Sequence, residues 1–404
     1  MFRRVIAVGL GLVSGFAVAG PVATRITTTS LTLPGAAAAA GTSFCLGGYC
    51  SNFSPRLYLA PRADGSYWLG WTGSNGAGRV SRISAGGIAS TFSYVGEEVR
   101  GLVAHDDGGF AVLLRKTADN SIRLTRRSAS DVQQFSTAIT NPNAIAQMNT
   151  GDARLAYGNS RYAAYFAVHG VAGNFNGHEG DQLAYISSAG APMSGGWTWG
   201  CSHQMAGLMG YHPGLNSFNA LCMSDCYNSK GILVNDSRNL FPVDAGCNGT
   251  VWGQFGQMAA AATTWKLAFV AQNRPGYPAQ GVGFLSFDNN TATAPVLKWL
   301  TATDGTTERD PVLARIGTTT PERFLVGWRS TADSGFRLGV VDGAGTFVTP
   351  LETVPGIAWG NRDDSLQSAP NGKVAWVSVT PNSTALKLYE YAETSEVIFA
   401  NGFQ

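Results

Sequence analysis

Charge is what this sequence has least of. Asp, Glu, Lys and Arg make up 13% of its 404 residues, and the formal net charge is +2. An ordinary soluble domain carries about 25% charged residues. No basic stretch is longer than Arg126-Arg127, which excludes the electrostatic footprint of a nucleic-acid binder. The joint enrichment in Ala, Glu, Lys and Leu expected of a helical protein is missing. Beyond the first twenty residues there is no apolar run of membrane length. His-Glu-x-x-His, the helical zinc-protease pattern, does not occur, and the segment from Asp244 departs from the Asp-x-Asp-x-Asp-Gly start of a calcium loop.

What the chain has in quantity is glycine, at 51 residues, with 11% aromatics and 44% hydrophobic residues. That mixture suits short strands joined by tight turns. One motif returns along the chain: an apolar run ending near an aromatic, a Gly/Asn/Asp/Ser turn, then a second alternating run. Copies begin at Ser66, Gly109, Arg161, Phe218, Trp265, Arg323 and Lys373, about 50 residues apart, the period of a propeller blade. Tyr67-Trp68-Leu69-Gly70-Trp71 in the first is chemically parallel to Phe324-Leu325-Val326-Gly327-Trp328 in the sixth. Segments between copies (57–60, 99–104, 258–262, 311–316) supply an inner strand, and 89–94 or 296–300 an outer one, giving four per blade. The expected fold is therefore all-β: a single β-propeller over residues 43–394, with seven four-stranded blades. Six or eight blades, a pair of β-sandwiches and a β-helix are the alternatives. Ring closure is assigned to 44–49 or to the extreme C-terminus. Trp71, Trp328 and Trp376 end strands and are read first as packing between blades.

The N-terminus reads as an export signal. Arg3 and Arg4 precede an uncharged apolar run over 5–18, and Ala17-Val18-Ala19 offers small residues for cleavage after Ala19. Residues 20–42 are small, polar and of low complexity, and are read as a flexible leader. Residues 395–404 form a short tail. Its end, Ile398-Phe399-Ala400-Asn401-Gly402-Phe403, resembles the Ile-Phe-x-Asp/Asn-Gly-Phe tail of many secreted gammaproteobacterial proteins, those of Lysobacter and Xanthomonas relatives in particular. The resemblance covers only the tail and implies a bacterial, secreted or periplasmic protein. A monomer is expected.

Six cysteines in an exported chain favour disulfides. Short loops close easily, so Cys45–Cys50 and Cys222–Cys226 are the first pairs, leaving Cys201–Cys247 as a staple across a central insertion. The alternative joins Cys201 to Cys222 and Cys226 to Cys247.

The central stretch from Gly195 to Gly253 holds four of these cysteines and departs from the repeat. Just before it, His178, Glu179 and Asp181 occupy an insertion within the third copy. Glu179 and Asp181 suit a hard cation such as calcium; with His178 they also suit general acid–base work. A plain turn with carboxylates on backbone N–H groups is the competing reading. His203 and His212 with Cys222 and Cys226 match a zinc donor set, although disulfides take precedence outside the cytoplasm. Met205, Leu208 and Met209 fall at helical spacing, which predicts a short helix over 202–210 capped by Ser202. Trp197, Trp199, Trp252 and Trp359 lie in loops, where an indole can stack on the C–H face of a sugar and donate its N–H to a hydroxyl. Arg362, Asp363 and Asp364 follow Trp359 in one turn, as a sugar or cation site or as an ion pair closing the turn.

Three functions fit. The first is a secreted propeller that binds carbohydrate or another extracellular ligand through aromatic and acidic loops at one mouth of the ring. The second is a glycoside hydrolase or polysaccharide lyase using Glu179/Asp181 and Asp363/Asp364, which for hydrolysis requires carboxylates about 5–10 Å apart; the repeated Ser-x-Asp-x-Gly-x-Thr-Trp turn of sialidase propellers is missing. The third is a structural or protein-binding propeller of the cell envelope.

Overall fold

A computed structural model describes residues 21–38, 44–46, 49–51, 57–141, 146–147, 153–169, 179–201, 207–224, 231–242, 245–246, 250–251, 253–272, 280–301, 306–318, 320–332, 335–359 and 365–393. Seven antiparallel sheets stand around one axis. Blade 1 runs Tyr58–Pro61, Tyr67–Thr72, Gly78–Ser84, Gly87–Tyr94, and blade 2 Glu97–Ala104, Phe110–Lys116, Ile122–Arg127, Gln133–Ile139. Blade 3 is Ala153–Gly158, Arg161–His169, Glu179–Ser187, Pro192–Gly200, with Ala146–Gln147 added beside the second strand. Blade 4 is Gly207–His212, Ser217–Ser224, Gly231–Val234, Arg238–Phe241, and blade 5 Gly253–Ala260, Trp265–Ala271, Gly281–Phe287, Val296–Trp299. Blade 6 is Glu308–Ile316, Arg323–Ser330, Phe336–Asp342, Phe347–Thr353. Blade 7 takes Gln367–Ser368, Val374–Val379 and Ala385–Tyr391 from the C-terminal part and Ile26–Thr32 from the N-terminal part. The first strand of each blade touches that of the next, and Gln367–Ser368 touches Tyr58–Pro61, so the ring is complete. Each of the seven sequence repeats begins on or beside the second strand of its blade.

Those second strands are covered on both faces by neighbouring blades, which is why they read as continuous apolar runs. Trp265–Ala271 is buried at every position. Outer strands such as Gly87–Tyr94 are half-exposed and more polar. The core is a series of wedges between blades. Trp71 packs with Val377 and Leu388 of blade 7, Trp328 with Val270 and Val282 of blade 5, and Trp376 with Leu338 and Val340 of blade 6. All three indoles are fully buried, as expected of inter-blade packing.

Four expectations change. Residues 20–42 are not all leader: Ile26–Thr32 is the outer strand of blade 7, paired residue for residue with Ala385–Tyr391. This strand closes the ring. Phe44–Leu46 does not; it pairs with Tyr49–Ser51 in a separate hairpin that sets Cys45 opposite Cys50. The described part of 202–210 is not helical: Gly207–His212 is an inner strand, with Leu208 packed toward blade 5 and Met209 toward blade 3, the alternation of a strand between two neighbours, and residues 202–206 lie outside the described residues. Finally, Cys201 is bonded to Cys222. This rules out Cys201–Cys247 and Cys222–Cys226 and agrees with the first half of the alternative pairing; Cys226 and Cys247 lie outside the described residues. The bond joins the end of blade 3 to the second strand of blade 4, a link between blades that loop length alone did not favour. The signal segment 1–19 and the tail 395–404 also lie outside the described residues.

The four-strand meander separates the connections between two faces. One face carries the turns from first to second strand and from third to fourth, short ones such as Gly158 to Arg161 and Ser84 to Gly87. The other carries the turns from second to third strand and the crossings to the next blade. All the longest connections leave from this second face: His169 to Glu179, Ala271 to Gly281, Phe241 to Gly253 and Thr353 to Gln367. The connections holding His178 and Arg362 thus join strand ends on the same face.

Candidate functional site

The best-defined polar cluster among the described residues lies between blades 3 and 4. It starts from an irregular ladder. Opposite Asp181–Ile186, the outer strand Pro192–Gly200 is in register only at Gly200↔Asp181, Trp197↔Leu183, Met193↔Tyr185 and Pro192↔Ile186. Extra residues bulge out on either side of Trp197, and bulges re-aim side chains. Ser194, Gly195 and Gly196 stand outside the ladder. Gly195 has φ +102, and a Cβ on Gly196 would lie 1.9 Å from the Leu183 carbonyl oxygen. The Ser-Gly-Gly-Trp sequence is therefore what the bulge requires. With the ladder broken, Trp197 packs toward blade 4 while Trp199, two residues on, packs toward blade 2. Gly196→Ala is expected to cost about 1–3 kcal/mol, as overpacking against rigid backbone does, and to red-shift tryptophan emission as Trp197 loses its seat; a melting curve and a fluorescence spectrum check both.

Trp197 donates its indole N–H to Asp181 Oδ1 at 2.7 Å, and Tyr165 donates its hydroxyl to Oδ2 of the same carboxyl. Asp181 is only 4% exposed. Across Gly200 sits a second carboxylate: Asp236 Oδ1 accepts the Cys201 backbone N–H at 2.9 Å. The position a Gly200 Cβ would take is 2.7 Å from Asp181 Oδ1 and 2.7 Å from Asp236 Cγ, so only glycine fits between the two acids. Burial pushes the Asp181 pKa up to about 7; the Asp236 charge adds to the rise, and the bonds from Tyr165 and Trp197 oppose it. Burial, then the neighbouring Asp181, hold the Tyr165 hydroxyl well above its ordinary value.

This arrangement does not suit calcium. Calcium takes six to eight oxygen ligands, whereas both oxygens of Asp181 face N–H and O–H donors. The sulfurs of Cys201 and Cys222 come within 4.8 Å of Asp181 and of each other, yet they are bonded together and offer no thiolate to a metal. Glu179 opens the third strand opposite His169; its side chain lies outside the described residues.

Two other expected site residues turn out to be structural. His212 is on the short-turn face, fully buried. Its Nε2 bonds the Thr264 carbonyl at 3.1 Å, its Nδ1 accepts the Leu215 N–H at 3.1 Å, and its ring meets Trp265 edge-on at 5.0 Å. Both nitrogens are spent on the blade 4–blade 5 corner, so it is neither a zinc nor a ligand contact. Trp359 is 5% exposed in the blade 6–blade 7 core. It packs on Phe336 at 4.4 Å and donates to the Asp310 carbonyl at 3.1 Å, which leaves no free face for a sugar. Trp199 is half-buried and lies over Gly180, whose Cβ position is 2.7 Å from Trp199 Cε2. His178, His203, Trp252, Arg362, Asp363 and Asp364 lie outside the described residues.

Tyr165 and Asp236 were not legible as site residues. Tyr165 reads as one more aromatic in an apolar strand. Asn235-Asp236 reads as a turn, and both residues do adopt positive φ, +50 and +58; its proximity to Asp181 depends on how blades 3 and 4 stack.

The axis of the ring is narrow. Inner strands enclose a cavity of about 90 Å³, lined by Leu57, Leu102, Leu155, Leu208, Met258 and Gln257 among others.

No family model matches this chain, and no curated protein matches it. Among solved structures it is similar to the WD40 domain of Neurospora crassa Pan2, at 11% identity and a TM-score of 0.48 over 84% of this chain and 90% of that one. It is also similar to α-L-arabinanase from Penicillium chrysogenum complexed with arabinobiose, at 9% identity and a TM-score of 0.46 over 89% and 98%. A third similar structure is the six-bladed fungal Aleuria aurantia lectin, described by its fucose recognition, at 9% identity and a TM-score of 0.43 over 83% and 91%.

Proposed function

We propose that this protein is an exported seven-bladed propeller that binds carbohydrate on the face carrying the long connections. The observation that carries this reading is the uneven distribution of connections: one end of the ring holds mostly short turns, Phe287 to Val296 being its longest, and the other holds the longest connections of all, among them Phe241 to Gly253 and Thr353 to Gln367. Binding residues concentrate on loops that a rigid scaffold positions. Half-buried Trp197 and Trp199 stand at the end of an outer strand running toward that face. The axial cavity is too small for a sugar chain, which favours engagement from outside the ring. Low charge suits a neutral ligand. Export is supported by the disulfide; among the described residues no helix is long and apolar enough to cross a membrane.

Binding without chemistry is preferred over glycoside hydrolysis. Asp181, the one expected catalytic carboxyl among the described side chains, is buried with both oxygens engaged, and is not offered to a substrate. The test is a glycan array with the exported chain, paired with an assay for released reducing ends on each glycan bound. Retention with no release is the expected result. Release of reducing ends would move the assignment to the hydrolase, and the absence of any retained glycan would end the carbohydrate reading.

A further inference from the structure

We propose that Asp181 is the internal base that closes the Cys201–Cys222 disulfide, taking the Cys222 thiol proton as that sulfur attacks a mixed disulfide at Cys201. The inference stands on a juxtaposition between blades 3 and 4 and is independent of the carbohydrate reading. An Asp181 carboxyl oxygen lies within 4.8 Å of both sulfurs, and all three residues are buried. Once the S–S bond is open the sulfurs part, and a Cys222 side-chain rotation spans the remaining gap.

Several features put the carboxyl there. Gly200 sits opposite Asp181 and leaves room for its oxygen. Cys201, next in the chain, has φ +33, a conformation that a non-glycine residue keeps only when its surroundings hold it. The bond from its N–H to Asp236 is one such hold. Gly207 faces Cys222 across the first two strands of blade 4, and a Cβ there would collide with the Tyr165 ring. The tyrosine that donates to Asp181 thus also packs against the strand pair that holds Cys222. A carboxylate has about four lone-pair sites. Tyr165 and Trp197 each take one, which leaves sites for an S–H donor.

Closure needs a base because the attacking species in disulfide exchange is the thiolate, and this setting opposes it. Burial and a neighbouring negative charge both keep a thiol protonated. Here Leu233 packs on the sulfurs, and the Asp236 carboxylate accepts from the Cys201 backbone. The charged groups acting on the cluster are Asp236, felt at Asp181, and Arg154, felt at Tyr165. A base that ionises near neutral pH suits the task, and burial sets Asp181 at about 7.

The oxidant is an external disulfide, of a carrier protein or a small molecule. Cys201 follows the outer strand of blade 3 at the long-connection end and reacts first: it loses its proton to water, and its thiolate displaces one thiolate from the oxidant. The Cys222 sulfur then attacks the Cys201 sulfur while its proton passes to Asp181. The mixed disulfide breaks, and its electron pair leaves on the oxidant's second sulfur. Both released thiolates take protons from water, and Asp181 gives its proton back to water. Two thiols and one disulfide become one disulfide and two thiols.

The fully reduced chain, its fold checked by circular dichroism and tryptophan emission, is given oxidised glutathione at pH 6 to 9, quenched in acid, alkylated and mapped by peptide mass spectrometry. The map follows the Cys201 glutathione adduct and the Cys201–Cys222 linkage separately. In the wild-type chain the adduct is expected to convert to the linkage at a rate that rises through about pH 7, where Asp181 ionises, and levels above it. Asp181→Asn is expected to accumulate the adduct and to slow its conversion about tenfold or more at pH 8, with a rate that keeps climbing as the thiol itself ionises. Asp236→Asn keeps the base and removes the like charge, so the wild-type profile is expected with its midpoint at lower pH. Equal conversion rates in the wild-type and Asp181→Asn chains overturn the proposal, as does a wild-type rate with no inflection between pH 6 and 9. If the reduced chain does not fold, the folded disulfide forms are reduced with dithiothreitol at pH 6, where Asp181 returns the proton to the departing Cys222 sulfur. Reduction about tenfold slower in Asp181→Asn upholds the assignment, and equal reduction overturns it.

Discussion

A chain that begins at residue 39 is expected to lose its cooperative unfolding transition. The N-terminal arm it lacks ties three blades. Val22 is fully buried in the core between blades 6 and 7, and the Ala23 N–H donates to Glu352 Oε1 at 2.6 Å. Ile26–Thr32 then completes blade 7. The Leu33 and Ala37 N–H groups bond to Thr384 and Ser383 carbonyls, and Ala38 reaches the Thr72 carbonyl of blade 1 at 2.8 Å. Leu33 and Ala37 are buried in the wedge between blades 7 and 1. Each ladder hydrogen bond contributes about 1 kcal/mol net, and each large buried aliphatic about 1.5–3 kcal/mol. Together these rival the roughly 5–15 kcal/mol that holds a typical domain folded. The truncated chain also exposes Ala385–Tyr391 as an open edge, an invitation to aggregation. Circular dichroism melting and size-exclusion chromatography read the effect, and a synthetic peptide of residues 21–38 added in trans is expected to restore both. A truncated chain that melts within a few degrees of the full one would show that the ring holds without its latch.

Asp181→Asn is expected to stabilise the protein at pH 8 and to flatten its stability between pH 4 and 7. In the unfolded chain this carboxyl ionises near 3.8; folded, it does so at about 7. Between those values the native state keeps a proton that the unfolded state has released, so rising pH favours unfolding. The wild-type chain therefore loses stability progressively from about pH 4 to 7 through this group and levels off above. The full effect is at most on the order of 4 kcal/mol. Asparagine has no proton to lose, keeps an acceptor for Trp197 and supplies a donor toward Tyr165. Urea titrations at pH 4 to 8 compare the two; parallel curves would refute the buried-acid account. Asp236→Asn, by removing the neighbouring charge, is expected to narrow the pH window without abolishing it.

The ring was legible because its signal is repeated. Seven apolar second strands announce themselves by continuous burial, and strand-end indoles such as Trp71 and Trp328 mark the same wedge in different blades. Properties that depend on stacking one blade against another were not legible. Cys201 and Cys222 meet because blades 3 and 4 are neighbours, which overrides the short-loop preference that favoured Cys222–Cys226. Trp359 follows an aromatic-plus-acid pattern that suits a sugar turn, but it follows blade 6 directly and is drawn into the core. His212 has the residue type of a ligand and the position of a hairpin corner. Asp181 reads from its glycine-bounded insertion as a cation or acid–base candidate, not as the buried carboxyl it is, and its partners Tyr165 and Asp236 carry no mark of their role.

The strand Ile26–Thr32 reads as a leader for a reason that bears on how the ring is made. Its sequence is Ile-Thr-Thr-Thr-Ser-Leu-Thr, with only Ile26 and Leu31 apolar and four consecutive exposed residues between them. Synthesised near the beginning, it meets its partner only when Ala385–Tyr391 has emerged near the end. Through that delay a strand rich in valine and isoleucine would seek other edges. Threonine keeps the extended preference without the stickiness, so the segment can wait in water and still lock when the last blade arrives.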